Sequence, residues 1–421
     1  MFGWEFPPHI SGGLGTACYG LTKGLSLNGV DVAFVMPKAS GDEDPTYVKV
    51  INASDVEVDI RNSYQYIQNP NVSYLQVNSK LIPYIGLDDY YNVVNQLDSG
   101  LFNDHHADGK RRYIFTSGYG SNLMQEVARY AEVAAEIAKQ EQFDIIHAHD
   151  WLTYRAGIAA KQVSGKPLVV HIHATEYDRS GENNRNDIVY NMEREGMMAA
   201  DAVCAVSNLT RQIVIEKYGI PAEKVFTLHN AVVPNPTKHA FARNVDEKIV
   251  TFLGRVTFQK GPIYFVETAK MVLDRDPNVR FVLAGDGDMM SAVINRVAEL
   301  GISDRFHFTG FLRGTDIDKM FGMSDVYVMP SISEPFGISP LEAMQSKVPV
   351  IISKQSGVSE VLQYAIKVDF WDINAMADAI YGILHYPSLY HLLSKKGQTE
   401  ANNLKWENVA KRLKFIYEKF V

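Results

Sequence analysis

Four stretches of this sequence place chemically capable side chains where strands would end. In the first, His9-Ile10-Ser11-Gly12-Gly13-Leu14-Gly15, three glycines open a helix after a short strand. Glycines let the backbone approach a ligand closely, and the unpaired N–H groups of a helix start attract phosphate. No Gly-Lys-Ser/Thr follows, and Cys18 stands where a dinucleotide fingerprint needs its third glycine, so neither a P-loop nor a good nicotinamide site is indicated. A plain strand-to-helix turn is the alternative. The second stretch sets Arg255 and Lys260 between Gly254 and Gly261, after an apolar strand and before a helix. Two cations there could hold a diphosphate and stabilise charge as it leaves. One preorganised donor of that kind contributes about 3 kcal/mol to lowering a barrier. Isolated surface cations are the alternative.

The third stretch holds Glu334, the Phe336-Gly337 turn and Glu342. The turn can bring backbone N–H groups to a ligand. Ser339-Pro340-Leu341-Glu342 also reads as a capping box, with Ser339 as N-cap and Glu342 at the third helical position. The fourth is a pair of histidine clusters, His147-Ala148-His149-Asp150-Trp151 and His171-Ile172-His173, the latter followed by Glu176 and Asp178. His147/His149 and His171/His173 are read as pointing to opposite strand faces, making each pair a poor chelate by itself. Core or supporting histidines are the plainer expectation. Asp286-Gly287-Asp288 contains a metal-like Asp-x-Asp but reads more simply as a turn. No resident metal is expected.

Short apolar runs alternating with longer helical patterns must position these residues, the signature of α/β folds with parallel sheets covered on both faces. Expected strands are Phe143–Ala148, Leu168–Ile172, Val203–Val206, Val225–Leu228, Ile249–Leu253, Phe281–Ala284, Phe306–Phe308, Val326–Met329 and Val348–Ile352. Helices are expected at Asn122–Lys139 and Pro262–Asp274. The segment from Gly41 to Arg112 reads as added strands, among them Val56–Ile60 and Val72–Val77, and an exposed loop from Ser99. Only residues 1–8 precede the first glycine-bearing stretch, so the first strand is short. Prolines and polar residues over Val233–Val245 mark a boundary between two doubly wound units, with ligands expected beyond the carboxyl ends of their strands.

The 421 residues suffice for two domains, and 46% hydrophobic with 21% charged residues is a globular composition. With 41 basic and 49 acidic residues the formal charge is −8, which opposes general nucleic-acid binding. Cys18 and Cys204 are expected as free thiols. No run approaches the roughly 20 apolar residues of a membrane span. With no leader-like start, the expectation is a cytoplasmic protein without an integral membrane segment.

Taken together, the glycine turn, the Arg255–Lys260 pair and the Glu334–Glu342 pair, in that order, resemble the retaining glycosyltransferases of GT-B fold that include bacterial and archaeal glycogen synthases. The resemblance covers Gly3 to about Trp406. It implies two Rossmann-like domains, 1–235 on the acceptor side and 236–403 binding a nucleotide-sugar, facing a central cleft, with helix 404–421 packing back on the first. Gly12 and Gly13 would lie against the donor diphosphate, with Arg255 and Lys260 neutralising it. Glu334 would hold the sugar hydroxyls, Phe336 and Gly337 the donor, and Glu342 the ribose. His173 would sit near the reacting centre, and Asp150 on the sugar side.

The implied reaction moves a hexosyl group, glucosyl by the resemblance, from UDP- or ADP-glucose to a carbohydrate such as an α-glucan, without a cofactor or metal. In ADP-glucose-using bacterial glycogen synthases the turn is typically Lys-Thr-Gly-Gly-Leu. Here Ile10 and Ser11 replace the lysine and threonine, leaving the donor base and polymer acceptor open. Alternatives are a transferase making a disaccharide, sugar phosphate or surface or lipid-linked glycan, and, in a different class, a nicotinamide oxidoreductase, disfavoured for want of a fingerprint.

Overall fold

A computed structural model describes residues 1–9, 12–59, 110–181, 184–233 and 246–421. The expected strand at Val72–Val77, most of the loop after Ser99 and nearly all of the boundary segment lie outside the described residues. Fourteen strands are described. In the first half they are β1 (Ala33–Met36), β2 (Lys49–Asn52), β3 (Glu57–Asp59), β4 (Lys110–Arg112), β5 (Ile146–His149), β6 (Leu168–Ile172), β7 (Ala202–Ala205) and β8 (Val225–Thr227). The second half holds β9 (Lys248–Leu253), β10 (Val279–Ala284), β11 (Phe306–Gly310), β12 (Val326–Met329), β13 (Val350–Ser353) and β14 (Ile366–Val368).

In the first half β1 pairs with β2 and β5 through β8 pair in sequence order, all parallel. Phe2 bridges both β1 at Val35 and β5 at Ala148, so one residue of the amino-terminal segment joins the two groups. Counting that segment as the first strand, the chain reverses direction across the sheet between Phe2 and β5. The second sheet runs β11-β10-β9-β12-β13-β14, also parallel, and reverses between β9 and β12. Both orders are those of doubly wound α/β sheets, whose ligands bind beyond the carboxyl ends at the reversal. β3 and β4 form a separate antiparallel pair.

Parallel strands covered on both faces read as continuous apolar runs. β6, β7, β12 and β13 are buried at every position. The helix Leu123–Gln140 shows the complementary pattern, burying Val127, Tyr130, Ala134 and Ile137 at helical spacing, with Glu126 in its first turn and Lys139 in its last. The helix Trp406–Tyr417 buries Trp406, Ala410, Leu413 and Tyr417 against the helix Gly13–Leu27. Gly20 and Gly24 form its seat: a Cβ at Gly20 would lie 2.2 Å from the Trp406 indole, and one at Gly24 2.6 Å from the Trp406 carbonyl.

Candidate active site

Each sheet reversal carries a set of polar side chains. On the first half, the helix Gly13–Leu27 follows the Phe2 segment with Gly12 as its N-cap and no side chain capping it. Among the described residues, a Cβ at Gly12 would meet nothing within 4 Å, and one at Gly13 would meet only Ile338, at 3.9 Å. The helix start therefore presents bare backbone N–H groups, a geometry suited to an anion. Asp150 ends β5 with φ 58° and ψ 168°, a conformation costing about 1–3 kcal/mol in a non-glycine residue. Its carboxylate accepts the backbone N–H of His173 at 2.7 Å, and burial pushes its pKa up to about 7. His173, just beyond β6, contacts His149 Nδ1 through Nε2 at 3.0 Å. Burial lowers its pKa to about 3, which keeps the imidazole uncharged.

On the second half, the loop after β9 carries Arg255 and Lys260. It is pinned by Gly285, whose added Cβ would lie 1.8 Å from the Gly254 carbonyl, and by a 2.8 Å bond from Val256 N–H to the Asp286 carbonyl. Gly261, at φ +65°, closes it against Pro330 after β12: a Cβ there would sit 2.2 Å from the Pro330 carbonyl. That closure delivers the Lys260 ammonium onto the Glu334 carboxylate as a largely buried ion pair, with the Ser331 hydroxyl donating to the same oxygen at 3.3 Å. Glu334 is held by its own backbone, its N–H on the Gln355 carbonyl and its carbonyl accepting from Gly357, both at 2.9 Å. Phe336 is buried and Gly337 takes φ +98°, turning the chain toward Glu342 in the helix Ser339–Gln345.

The two sets meet. The Ser333 hydroxyl donates to Asp178 at 2.6 Å, joining the loop after β12 to the short helix Glu176–Ser180 after β6. Gly181 approaches Phe258, and Gly357 packs on Ser207. Glu360 accepts the backbone N–H groups of Asn208 and Leu209, each at 2.9 Å, and contacts His229 at 2.7 Å. Sequence reading named Asp178 only in passing and did not reach Ser333. The signal for Asp178 was Thr175-x-x-Asp178, which forms a true capping box, with Thr175 N–H and Oγ1 both on the Asp178 carboxylate.

Two expectations are corrected. Ser339 is no N-cap: its hydroxyl pairs with Tyr327 at 2.7 Å, and the Glu342 N–H goes to the Ile338 carbonyl. The histidines of each strand do not point to opposite faces. They are two residues apart, and a pleated strand sends such residues to the same side. The rings of His147 and His149 stack at 4.5 Å, as do those of His171 and His173. Asp286 and Asp288 are exposed on the turn after β10, where the Asp286 carboxylate accepts the Gly287 N–H at 2.7 Å.

Residues 1–228 match the starch synthase catalytic domain family, more than half of the chain, and residues 235–400 match glycosyl transferases group 1. The protein is a glycosyltransferase of the starch and glycogen synthase type, with the GT-B fold. It is 26% identical to an uncharacterised glycosyltransferase of Methanocaldococcus jannaschii, over 99% of this chain and 97% of that one. A glycogen synthase of Mycobacterium tuberculosis is 22% identical over 99% and 93%. Among solved structures, a sucrose-phosphate synthase from Thermosynechococcus elongatus superposes with a TM-score of 0.67 at 19% identity, covering 97% of this chain and 93% of its own. Anabaena HepE, solved with UDP and glucose, gives 0.60 at 19% identity over 70% and 82%. No helix among the described residues of this glycosyltransferase is long and apolar enough to cross a membrane.

Proposed function

We propose that this glycosyltransferase moves a glucosyl group from a nucleoside diphosphate glucose, UDP- or ADP-linked, to the end of an α-glucan, with retention of configuration. The observation carrying this reading is the Lys260–Glu334 pair at the second sheet's reversal together with the helix start at Gly12 at the first's, in halves joined by the Ser333–Asp178 contact. In this reading residues 1–235, braced by helix 404–421, form the acceptor-side domain, and residues 236–403 the donor-side domain.

The diphosphate lies between the N–H groups at Gly12 and Gly13 and the cations of Arg255 and Lys260. Glu334 takes sugar hydroxyls, the Phe336–Gly337 backbone and Glu342 the rest of the donor, and neutral His173 and Asp150 the sugar side. As the C1–phosphate bond breaks, negative charge grows on the leaving oxygen, where Lys260 and Arg255 stabilise it. The acceptor hydroxyl attacks C1 from the same face and passes its proton to that oxygen. Two fixed cations suit a transfer that needs no metal at the diphosphate. The two thiols, buried and free, and a nucleotide-sugar donor fit a cytoplasmic site of action.

The relatives include a mannosylfructose-phosphate synthase and a galactosyltransferase acting on a diphosphoundecaprenol-linked sugar. The acceptor is therefore the part of the proposal to test directly. Proton NMR of the product from an α-linked donor and maltotetraose should show a new α-glucosidic anomeric signal. A β signal would overturn retention, and an unextended maltotetraose would overturn the α-glucan acceptor.

A further inference from the structure

Behind the proposed transfer site, the first sheet buries a square of four imidazoles. His147 and His149 come from β5, His171 from β6 and His173 from just beyond it, with His149 and His171 in direct register. They lie beside Phe34 of β1 and Tyr417 of the helix Trp406–Tyr417. His147, His149 and His171 are each no more than 1% exposed. One ring nitrogen of each of these three lies within 4.8 Å of one from both others.

Their hydrogen bonds are one-sided. Nδ1 of His147 meets the Tyr417 hydroxyl, and Nδ1 of His149 meets His173 Nε2. Nε2 of His147, Nε2 of His149 and both ring nitrogens of His171 have no hydrogen-bond partner among the described residues. Each buried polar atom left so costs about 1–3 kcal/mol, and here four belong to three neighbouring rings. An outer partner on Nδ1 with a bare Nε2 is the arrangement by which proteins fix a histidine as a metal ligand.

We propose that His147, His149 and His171 form a buried site for one borderline-soft divalent transition ion, zinc in the first instance, held by three imidazoles. Zinc–nitrogen bonds of about 2.0–2.1 Å bring three ligand atoms to roughly 3.3 Å from one another. Binding therefore draws the three nitrogens inward from separations of up to 4.8 Å. The ion is structural: it takes one orphaned nitrogen from each of the three rings and, through His149 Nδ1–H, orients His173. The site stands whether or not His173 takes part in transfer.

The test uses the full chain carried on a tag without histidine, grown with zinc, passed through EDTA and measured by elemental mass spectrometry. About one zinc per chain is expected. His171→Phe, which keeps the ring volume, and His147→Gln should each lose it. Wild-type protein retaining under about a tenth of an ion per chain overturns the site, as does undiminished zinc in both variants. Should the variants fail to fold, cobalt-loaded wild-type decides. Visible d–d bands of an imidazole-only set support the assignment. A sulfur-to-cobalt charge-transfer band places the ion on Cys18 or Cys204 instead and overturns it.

Discussion

Lys260→Ala removes the cation assigned to the leaving diphosphate and also breaks an ion pair, and the two effects are separable. The Lys260 and Glu334 side chains are 19% and 8% exposed. Removing one partner of a fully buried pair costs about 3–5 kcal/mol of stability. Partial exposure and the Ser331 hydroxyl that remains on Glu334 reduce this to about 2 kcal/mol. The catalytic loss adds about 3 kcal/mol in the barrier, or on the order of a hundredfold in kcat. Glu334→Gln breaks the same pair while keeping the cation, so it serves as the control for stability. Nucleotide release is measured well below the melting midpoint of each variant, with nucleotide affinity taken by calorimetry. Lys260→Ala should lose both turnover and nucleotide affinity, whereas Glu334→Gln should lose turnover and keep nucleotide affinity. Turnover in Lys260→Ala within about threefold of wild-type would show that this lysine does not face the departing phosphate.

Other perturbations reach the same frame from different sides. Gly261→Ala drives a Cβ into the Pro330 carbonyl at positive φ. It should cost about 3 kcal/mol or more, read as a lowered melting midpoint. Ser333→Ala removes the 2.6 Å bond to Asp178, which is worth about 1.5–3 kcal/mol to a charged acceptor. Small-angle scattering should show a more open particle, and an unchanged profile would mean other contacts hold the two halves. For Asp150, burial raises the folded-state pKa from 3.8 to about 7, so the folded state keeps a proton that the unfolded chain gives up. Its stabilising contribution is full below pH 4, falls as pH rises toward 7 and is flat above, a change of about 4 kcal/mol. Urea melts of wild-type and Asp150→Asn should therefore diverge from pH 4 to 7, the variant becoming relatively more stable. Parallel curves would contradict the burial.

Much of the frame was legible because parallel strands buried on both faces announce themselves as apolar runs. Leu168–Ile172 and Val326–Met329 appear with the expected bounds, and the other expected strands that fall on described residues shift by one to three residues at one or both ends. β1, β2, β4 and β14 were not identified, and β4 (Lys110–Arg112) is a strand where the end of the exposed loop from Ser99 was expected. Two lie toward a sheet margin with exposed or half-buried positions, and the amino-terminal segment contributes a single bridging residue. Motif residues were found by type and order, but their partners were not. Nothing local in Lys260 or Glu334 says that Gly261 folds one onto the other, and nothing local in Ser333 says that Asp178 faces it. The capping box was misassigned because Ser339 had a better partner in Tyr327, 12 residues away in sequence. The histidines were misread through strand parity, which hid the most unusual cluster in the fold.

The central claim is that the two sheet reversals together bind a nucleotide-sugar and pass its glucose to a glucan. The most direct test is nucleotide release from UDP-glucose and ADP-glucose, each with and without a maltooligosaccharide primer. Release that depends on the primer and lengthens it is the predicted result, and it names the donor. No release from either donor with primer present, despite tight nucleotide binding, would contradict the glucan acceptor and direct the transfer to another hydroxyl.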